Sequence, residues 1–282
     1  MRKLAGILWA VAFLLPGTGG AAEAIPHRIV SINLCADELL LTLADPGQIA
    51  SLSVYATDPD LSTVGAQAAA FPHSAASAES VIAFAPDLVL AGRFTKRDTR
   101  DMLTRLGYRL ELLDAPRSIA DSEKQIRSVA TLLGHPERGD SLIADIEAAK
   151  ARTAAAAPST NPSAANYQRR GYVAGSDTLM TELLASGGFA DAGGPLAGKT
   201  GRFVPLEKVV ARPPDYIVVA SDDIMPRDEG SALLAHPALL RLYPQSRRIV
   251  VSPKLTVCGG PTLPAALDRV ASEVHRVLPA TP

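Results

Sequence analysis

Two segments of this chain, 128 residues apart, are written to one rule, and a chain that repeats itself over that distance is built from two related halves. From Glu79 the sequence reads ESVIAFAPDLVL, and from Glu207 it reads EKVVARPPDYIVV. Identities fall at Glu79/Glu207, Val81/Val209, Ala83/Ala211, Pro86/Pro214 and Asp87/Asp215. In each copy a turn or two of apolar-patterned helix stops at the proline. The aspartate then turns the chain into a buried strand, Leu88-Val89-Leu90 or Ile217-Val218-Val219. A second echo precedes the first, where ADELLLTLA (36–44) parallels MTELLASGG (180–188). A duplicated helix-turn-strand scaffold accounts for these patterns, but it does not require a glutamate at the same place in both copies. Two related lobes also imply a cleft between them, where small molecules are commonly held.

The rest of the chain fits this division. HRIVSINL (27–34) reads as a strand leading into the helix ADELLLTLA, and DPGQIASLS turns into a further short strand. Residues 55–77 are loop-like, rich in Ala, Ser, Asp and Pro. The first repeat follows, then a helix from Asp98 to Leu106 and the strand YRLELLD. Strands alternating with helices predict a mainly parallel sheet covered by helices. A helix from Ile119 ends at Gly134-His135-Pro136, and a second runs from Pro136 to about Ala157. At 1.5 Å per residue that second helix is about 30 Å long. PSTNPSAAN after it reads as a loop by composition. The expected organisation is therefore a leader at 1–24, an N-terminal lobe at 25–135, an interlobe helix and loop at 136–165, and a C-terminal lobe at 166–282. In the second lobe Gly171-Tyr172-Val173 and RRIVVSP (247–253) read as strands, and PAALDRVASEVHRVL as the closing helix. KLTVCGGPT lies at the C-terminal end of the last strand, where open α/β sheets bind ligands.

The first two dozen residues place Arg2 and Lys3 before an apolar run from Leu4 to Leu15, then a small-residue stretch ending AAEA. A run of that length is too short to cross a bilayer of about 30 Å and has the order of a secretory signal peptide, with cleavage expected near Ala22 or Ala24. Without Arg2 and Lys3, 26 basic residues face 29 acidic ones, so nucleic acid is not an expected partner. The sequence holds two cysteines, Cys35 and Cys258. In an exported protein such a pair reads first as a disulfide, and the competing reading is two free thiolates facing a ligand or a soft metal.

Other motifs carry less. Gly193 to Thr200 matches the phosphate-loop pattern GxxxxGK[ST] letter for letter. That chemistry needs a strand before the loop and a helix starting at the lysine, whereas here a helix precedes it and Gly201 and Pro205 follow. No G-x-S-x-G, CxxC or HExxH pattern occurs. Of five scattered histidines, His73 is singled out by its place six residues ahead of Glu79. Arg93 follows the strand DLVLAG directly, where a guanidinium suits an anionic or carboxylate-bearing ligand.

Through HRIVSINLCADELL, ESVIAFAPDLVLAGR and LEKVVARPPDYIVV, the chain resembles the periplasmic cobalamin- and siderophore-binding proteins of ABC importers, over essentially its whole mature length. The resemblance implies a class III periplasmic binding protein fold: two α/β lobes, each a mainly parallel sheet flanked by helices, joined by a long rigid helix. It also implies a binding protein and not an enzyme, monomeric and periplasmic, with a metal chelate in a shallow cleft and no cofactor of its own. Glu79 and Glu207 stand at the family's docking positions, one per lobe, opposite a twofold permease dimer. The ligand set implied is Tyr55, Arg93 and Arg202, with His73 and Cys258 behind them. Where the cobalamin binders place tryptophans, six residues before each glutamate, this chain has His73 and Gly201, which ranks an iron siderophore ahead of cobalamin. Cys35 and Cys258 fall in cleft-facing loops of the family, so they either bridge the lobes or touch the ligand. A different class of reading is an exported metal-handling or thiol-dependent protein using Cys35, Cys258 and His73.

Overall fold

Alternate residues of each central strand enter different apolar clusters, and this alternation fixes the layers of both lobes. The computed structural model describes residues 24–221 and 228–278. The expected leader, apart from Ala24, lies outside the described residues. In the first lobe β1 (Ile29–Ser31) leads to α1 (Leu34–Leu43), β2 (Ile49–Ser53), α2 (Gly65–Ala68), β3 (His73–Ser74), α3 (Ala78–Ile82), β4 (Leu88–Gly92), α4 (Arg97–Arg105) and β5 (Leu110–Leu113). The five strands form a parallel sheet in the order β3-β2-β1-β4-β5. Ile29, Leu88 and Leu90 point to one side of it, into the largest core, while Val30, Val89 and Ala91 point to the other, against Val81 and Leu103.

Two long helices, α5 (Ile119–Leu133) and α6 (Pro136–Ala155), then cross the back of the molecule. Ser118 caps α5, accepting the Asp121 N–H, and Gly134 ends it at φ 84°, a left-handed conformation that glycine adopts without strain. Pro136 opens α6, where its missing N–H is not needed.

The second lobe comprises β6 (Ser163–Asn166), β7 (Tyr172–Val173), α7 (Leu179–Ser186), β8 (Ala190–Asp191), α8 (Gly193–Ala197), β9 (Arg202–Phe203), α9 (Leu206–Ala211), β10 (Tyr216–Val219), α10 (Glu229–Ala232), α11 (Pro237–Leu242), β11 (Arg248–Val250) and α12 (Leu263–Val277). Its parallel sheet has the order β11-β10-β6-β8, and β7 pairs separately with β9, antiparallel. Here Ala164 and Val218 face the shared core, and Ala165, Ile217 and Val219 the outer one.

One sequence expectation is corrected. The stretch read as loop before Asn166 ends in β6, which pairs with β10 inside the second sheet, so the expected linker at 136–165 gives its last three residues to a strand. Gly171-Tyr172-Val173 is not in that sheet at all; its last two residues form the small ribbon with β9.

The repeated aspartates explain how each sheet is stitched. Asp87 accepts the N–H groups of His27 (2.7 Å) and Arg28 (3.0 Å) just before β1. Asp215 accepts the N–H of Ser163 (2.8 Å), the first residue of β6. In both lobes the Pro-Asp pair therefore fastens a repeat strand to the neighbour it pairs with.

The lobes are not independent bodies around a bare hinge. One apolar cluster runs from Ile29 and Leu40 through Ile126 and Ile146 to Leu183 and Leu267, so separating the lobes would expose a continuous core. The α6 helix packs on α5 and on α12, tied to the latter by Arg152 with Asp268 (2.8 Å) and by the Thr153 hydroxyl donating to the Leu267 carbonyl (2.9 Å).

Candidate functional site

The C-terminal ends of the two parallel sheets face a common cavity of about 1310 Å³, above the range of roughly 300–1000 Å³ usual for small-molecule sites. The first lobe supplies the ends of β4 and β5 and one face of α5; the second supplies the ends of β6, β10 and β11 and the segment leading into α7. Its apolar lining includes Phe94, Leu112, Met180 and Val257. Phe94 is 87% exposed, an aromatic at the rim with no ring partner among the described residues. Asn166, Tyr167 and Gln168 add polar groups as β6 ends. The Tyr167 hydroxyl is buried without a hydrogen-bond partner among the described residues.

Three of the basic side chains of the cleft come with acids. Arg93 makes a two-point contact with Asp114, through Nε to one oxygen and Nη2 to the other at 2.8 Å. That hydrogen bonding holds the Asp114 carboxyl below the usual carboxylate range. Arg117 reaches across the lobes to Asp177 at 2.6 Å, and Arg169 pairs with Asp228 at 2.5 Å.

Further links between the lobes lie beside the cleft. The Ile119 N–H, opening α5, donates to Glu182 of α7 at 2.8 Å. Cys35, in the first turn of α1, is disulfide-bonded to Cys258 in the loop after β11, with the two Cα atoms 5.1 Å apart. Asn33 caps α1 by accepting the Cys35 N–H (3.0 Å), and Gly260, two residues past Cys258, donates to Ser122 of α5 (3.4 Å). Both cysteines of the sequence are consumed in this bond, which leaves no free thiolate for thiol chemistry or soft-metal binding. Cys258 is buried and is not among the residues lining the cavity.

Of the residues expected to hold ligand, Arg93 lines the cavity. Tyr55, half-exposed in a turn after β2, does not, and neither do His73 on the edge strand β3 or Arg202 on β9. The His73 Nε2 atom is buried with no partner among the described residues. Arg202 instead donates to the Leu196 carbonyl (3.3 Å), while its neighbour Phe203 stacks edge-on against Tyr172, which does line the cavity. The residues missed were those at the end of β6 and along α5. Asn166-Tyr167-Gln168-Arg169 is a polar run directly after a strand, a signal that became readable only once β6 was known.

The phosphate-loop lookalike is otherwise employed. The helix there starts at Gly193, not at Lys199, and the Gly193 and Gly194 N–H groups both donate to Asp191 Oδ1 (2.8 and 3.0 Å), so they do not form an anion cradle. Among the described residues no group of three or more His, Cys, Asp or Glu is placed to hold a metal ion.

Glu79 and Glu207 stand in the first turns of α3 and α9, both solvent-exposed, and neither has a basic partner among the described residues. The backbone N–H of Glu79 itself, and then the Ser77 hydroxyl, hold the Glu79 carboxyl below its ordinary range. Behind the first sheet's end lie two buried carboxyls, Asp37 and Glu38. Asp37 accepts the Ser53 N–H at 2.9 Å, yet burial pushes it up to about 7. Glu38 accepts from the Thr63 hydroxyl (3.2 Å), its other oxygen has no partner among the described residues, and burial again pushes it up to about 7.

The same architecture recurs in solved structures. The heme-binding protein RhuT from Roseiflexus superposes with a TM-score of 0.71 at 24% identity, covering 89% of this chain and 98% of that one. The Fe3+-hydroxamate transport protein from Saccharomonospora viridis gives 0.68 at 21%, covering 88% and 93%. The vitamin B12 binding protein BtuF of Vibrio cholerae gives 0.66 at 15%, covering 90% and 98%. At such identities the likeness establishes the fold. No curated protein sequence matches significantly. Residues 29–242, however, match a family profile described as periplasmic binding protein, and with two sheets opening on one cleft and most of its length matched, the chain belongs to that family.

Proposed function

We propose that this chain is the periplasmic receptor of an ABC importer, capturing a metal chelate and delivering it to an inner-membrane permease without performing chemistry on it. One observation carries the reading: a large cleft lies between two parallel sheets, and each lobe presents a solvent-exposed glutamate at the same point of the sequence repeat. The volume suits a chelate better than a bare ion, and so does the lack of a three-residue metal cluster among the described residues. Such a ligand arrives with its own donor atoms and needs only shape, apolar contact and a few polar groups from the protein. An iron siderophore stands first and cobalamin second. The structural relatives named for heme, vitamin B12 and Fe3+-hydroxamate agree with a chelate in general and do not choose among them.

Glu79 and Glu207 serve as docking contacts. Exposed carboxylates steer and register an encounter more than they tighten it, which suits a carrier that must also leave. A thermal-shift screen of the purified chain against ferric siderophores, haem and cobalamin tests the receptor. A bound chelate raises Tm, and the rise grows with the logarithm of its concentration over Kd. If all three classes leave Tm unmoved at saturating concentration, the receptor reading is wrong.

A further inference from the structure

The charges of the cleft limit what kind of chelate it holds. Among the described residues, four basic side chains line it, and four acidic ones line it with them. Three of the bases are committed: Arg93 by two points to Asp114, Arg117 to Asp177 across the lobes, and Arg169 to Asp228. Lys124 has no ion pair among the described residues, and Glu111 and Asp121 share the lining with it. Asp121 is itself held at the start of α5 by the Arg117 N–H (3.1 Å).

A site built for a polyanion needs a surplus of positive charge, because the field that draws the ligand in is the sum over all nearby groups. Among the described residues that sum is balanced. Exposed ion pairs are weakly held, so a ligand could pull an arginine toward itself. The aspartate would remain behind, however, a few ångströms from the incoming negative charge. Turning the guanidinium moves the cation without adding one.

Resting on the receptor reading above, we infer that the cleft selects chelates of little net charge. A ferric trihydroxamate, whose three single negative charges cancel Fe3+, fits it better than a ferric tris-catecholate, which keeps three negative charges. Selectivity then comes from shape and from the apolar and neutral polar lining, Phe94, Met180 and Asn166 among it.

Calorimetric titration of the full chain with both chelates, at low and at high salt, tests this. The trihydroxamate should bind at least roughly tenfold tighter, a difference worth about one decade in Kd. Its affinity should not move with salt, which screens charge–charge attraction. Asp177→Asn uncovers Arg117 and should shift the preference between the two chelates toward the anion by roughly tenfold. An unmoved ratio would overturn the assignment. Tighter, salt-sensitive binding of the tris-catecholate to the natural chain would do so as well, while leaving the receptor intact. Binding of haem, a dianion, with neither iron chelate bound has the same meaning. Failure of every chelate would overturn both readings.

Discussion

The two lobes place the same residues at equivalent points, and use some of them alike and others differently. Asp87 and Asp215 do the same work, each accepting backbone N–H groups at the start of a central strand. Glu38 and Glu182, equivalent by the second echo, do not. Glu38 is fully buried beside Asp37 with one oxygen unpartnered among the described residues, while Glu182 is half-buried and receives the Ile119 N–H at the junction between lobes. What was kept is the scaffold that builds a sheet. What diverged is the surface where one half meets the other, since an interlobe contact joins unlike faces and cannot be served by the same residue twice.

The strongest way to break the comparison is to cut the covalent tie between the unlike halves. Replacing Cys35 and Cys258 together by Ser should cost up to about 5 kcal/mol, because the bond closes a very long loop in the unfolded chain. Denaturant unfolding of the variant, and of the natural protein with reductant, should agree. A cost near zero would mean that the shared core alone fixes the lobes.

Protons separate the lobes next. Asp37 and Glu38 keep theirs to about pH 7 in the folded protein but release them near 3.8 and 4.5 when unfolded. Between those limits the folded state holds more protons, so their contribution to stability falls as pH rises and levels off above about 7. The slope is at most about 1.4 kcal/mol per pH unit for each group. Glu38→Gln should flatten part of it in a pH series of unfolding curves. Equal slopes in Glu38→Gln and the natural protein would mean that Glu38 ionises normally.

Docking asks whether the pseudo-twofold is functional. Glu79→Ala and Glu207→Ala should each weaken permease association by roughly tenfold, about 1.4 kcal/mol, and the double variant should abolish transport. Natural behaviour in the double variant would sink the docking role. Strongly unequal single effects would show that one lobe dominates.

The smallest effect sharpens the comparison most. Asp87→Ala and Asp215→Ala should each destabilise by about 1 kcal/mol, the usual worth of such hydrogen bonds. Matching losses in thermal unfolding would confirm a common role; a loss confined to one would reduce the repeat to one structural site and one relic.

The sequence carried the fold where side chains are large and periodic. Ile29, Val30, Leu88 and Val89 announce their strands because consecutive branched apolar residues suit a sheet buried on both faces. Ser163-Ala164-Ala165-Asn166 does not, since alanine has little preference for a strand, and this one is held by its neighbours β10 and β8 and by Asp215. The cleft was legible as a place and not as a list. Arg93 could be found because it follows a recognised strand, but Asp114, Arg117 and Asp177 come together only through tertiary folding, and Arg117 pairs with a residue 60 positions away. Tyr55, His73 and Arg202 sit in loops or short edge strands whose direction no local pattern determines.

The disulfide also orders events in time. Cys35 is synthesised 223 residues before Cys258, and at about 5–20 residues per second the first thiol exists for roughly 10–45 s before its partner does. With only two cysteines in the sequence, no wrong intramolecular pairing can form in that interval. The native bond cannot form until residue 258 has joined the chain. Closure of this bond therefore waits until segments of both lobes are present to be joined.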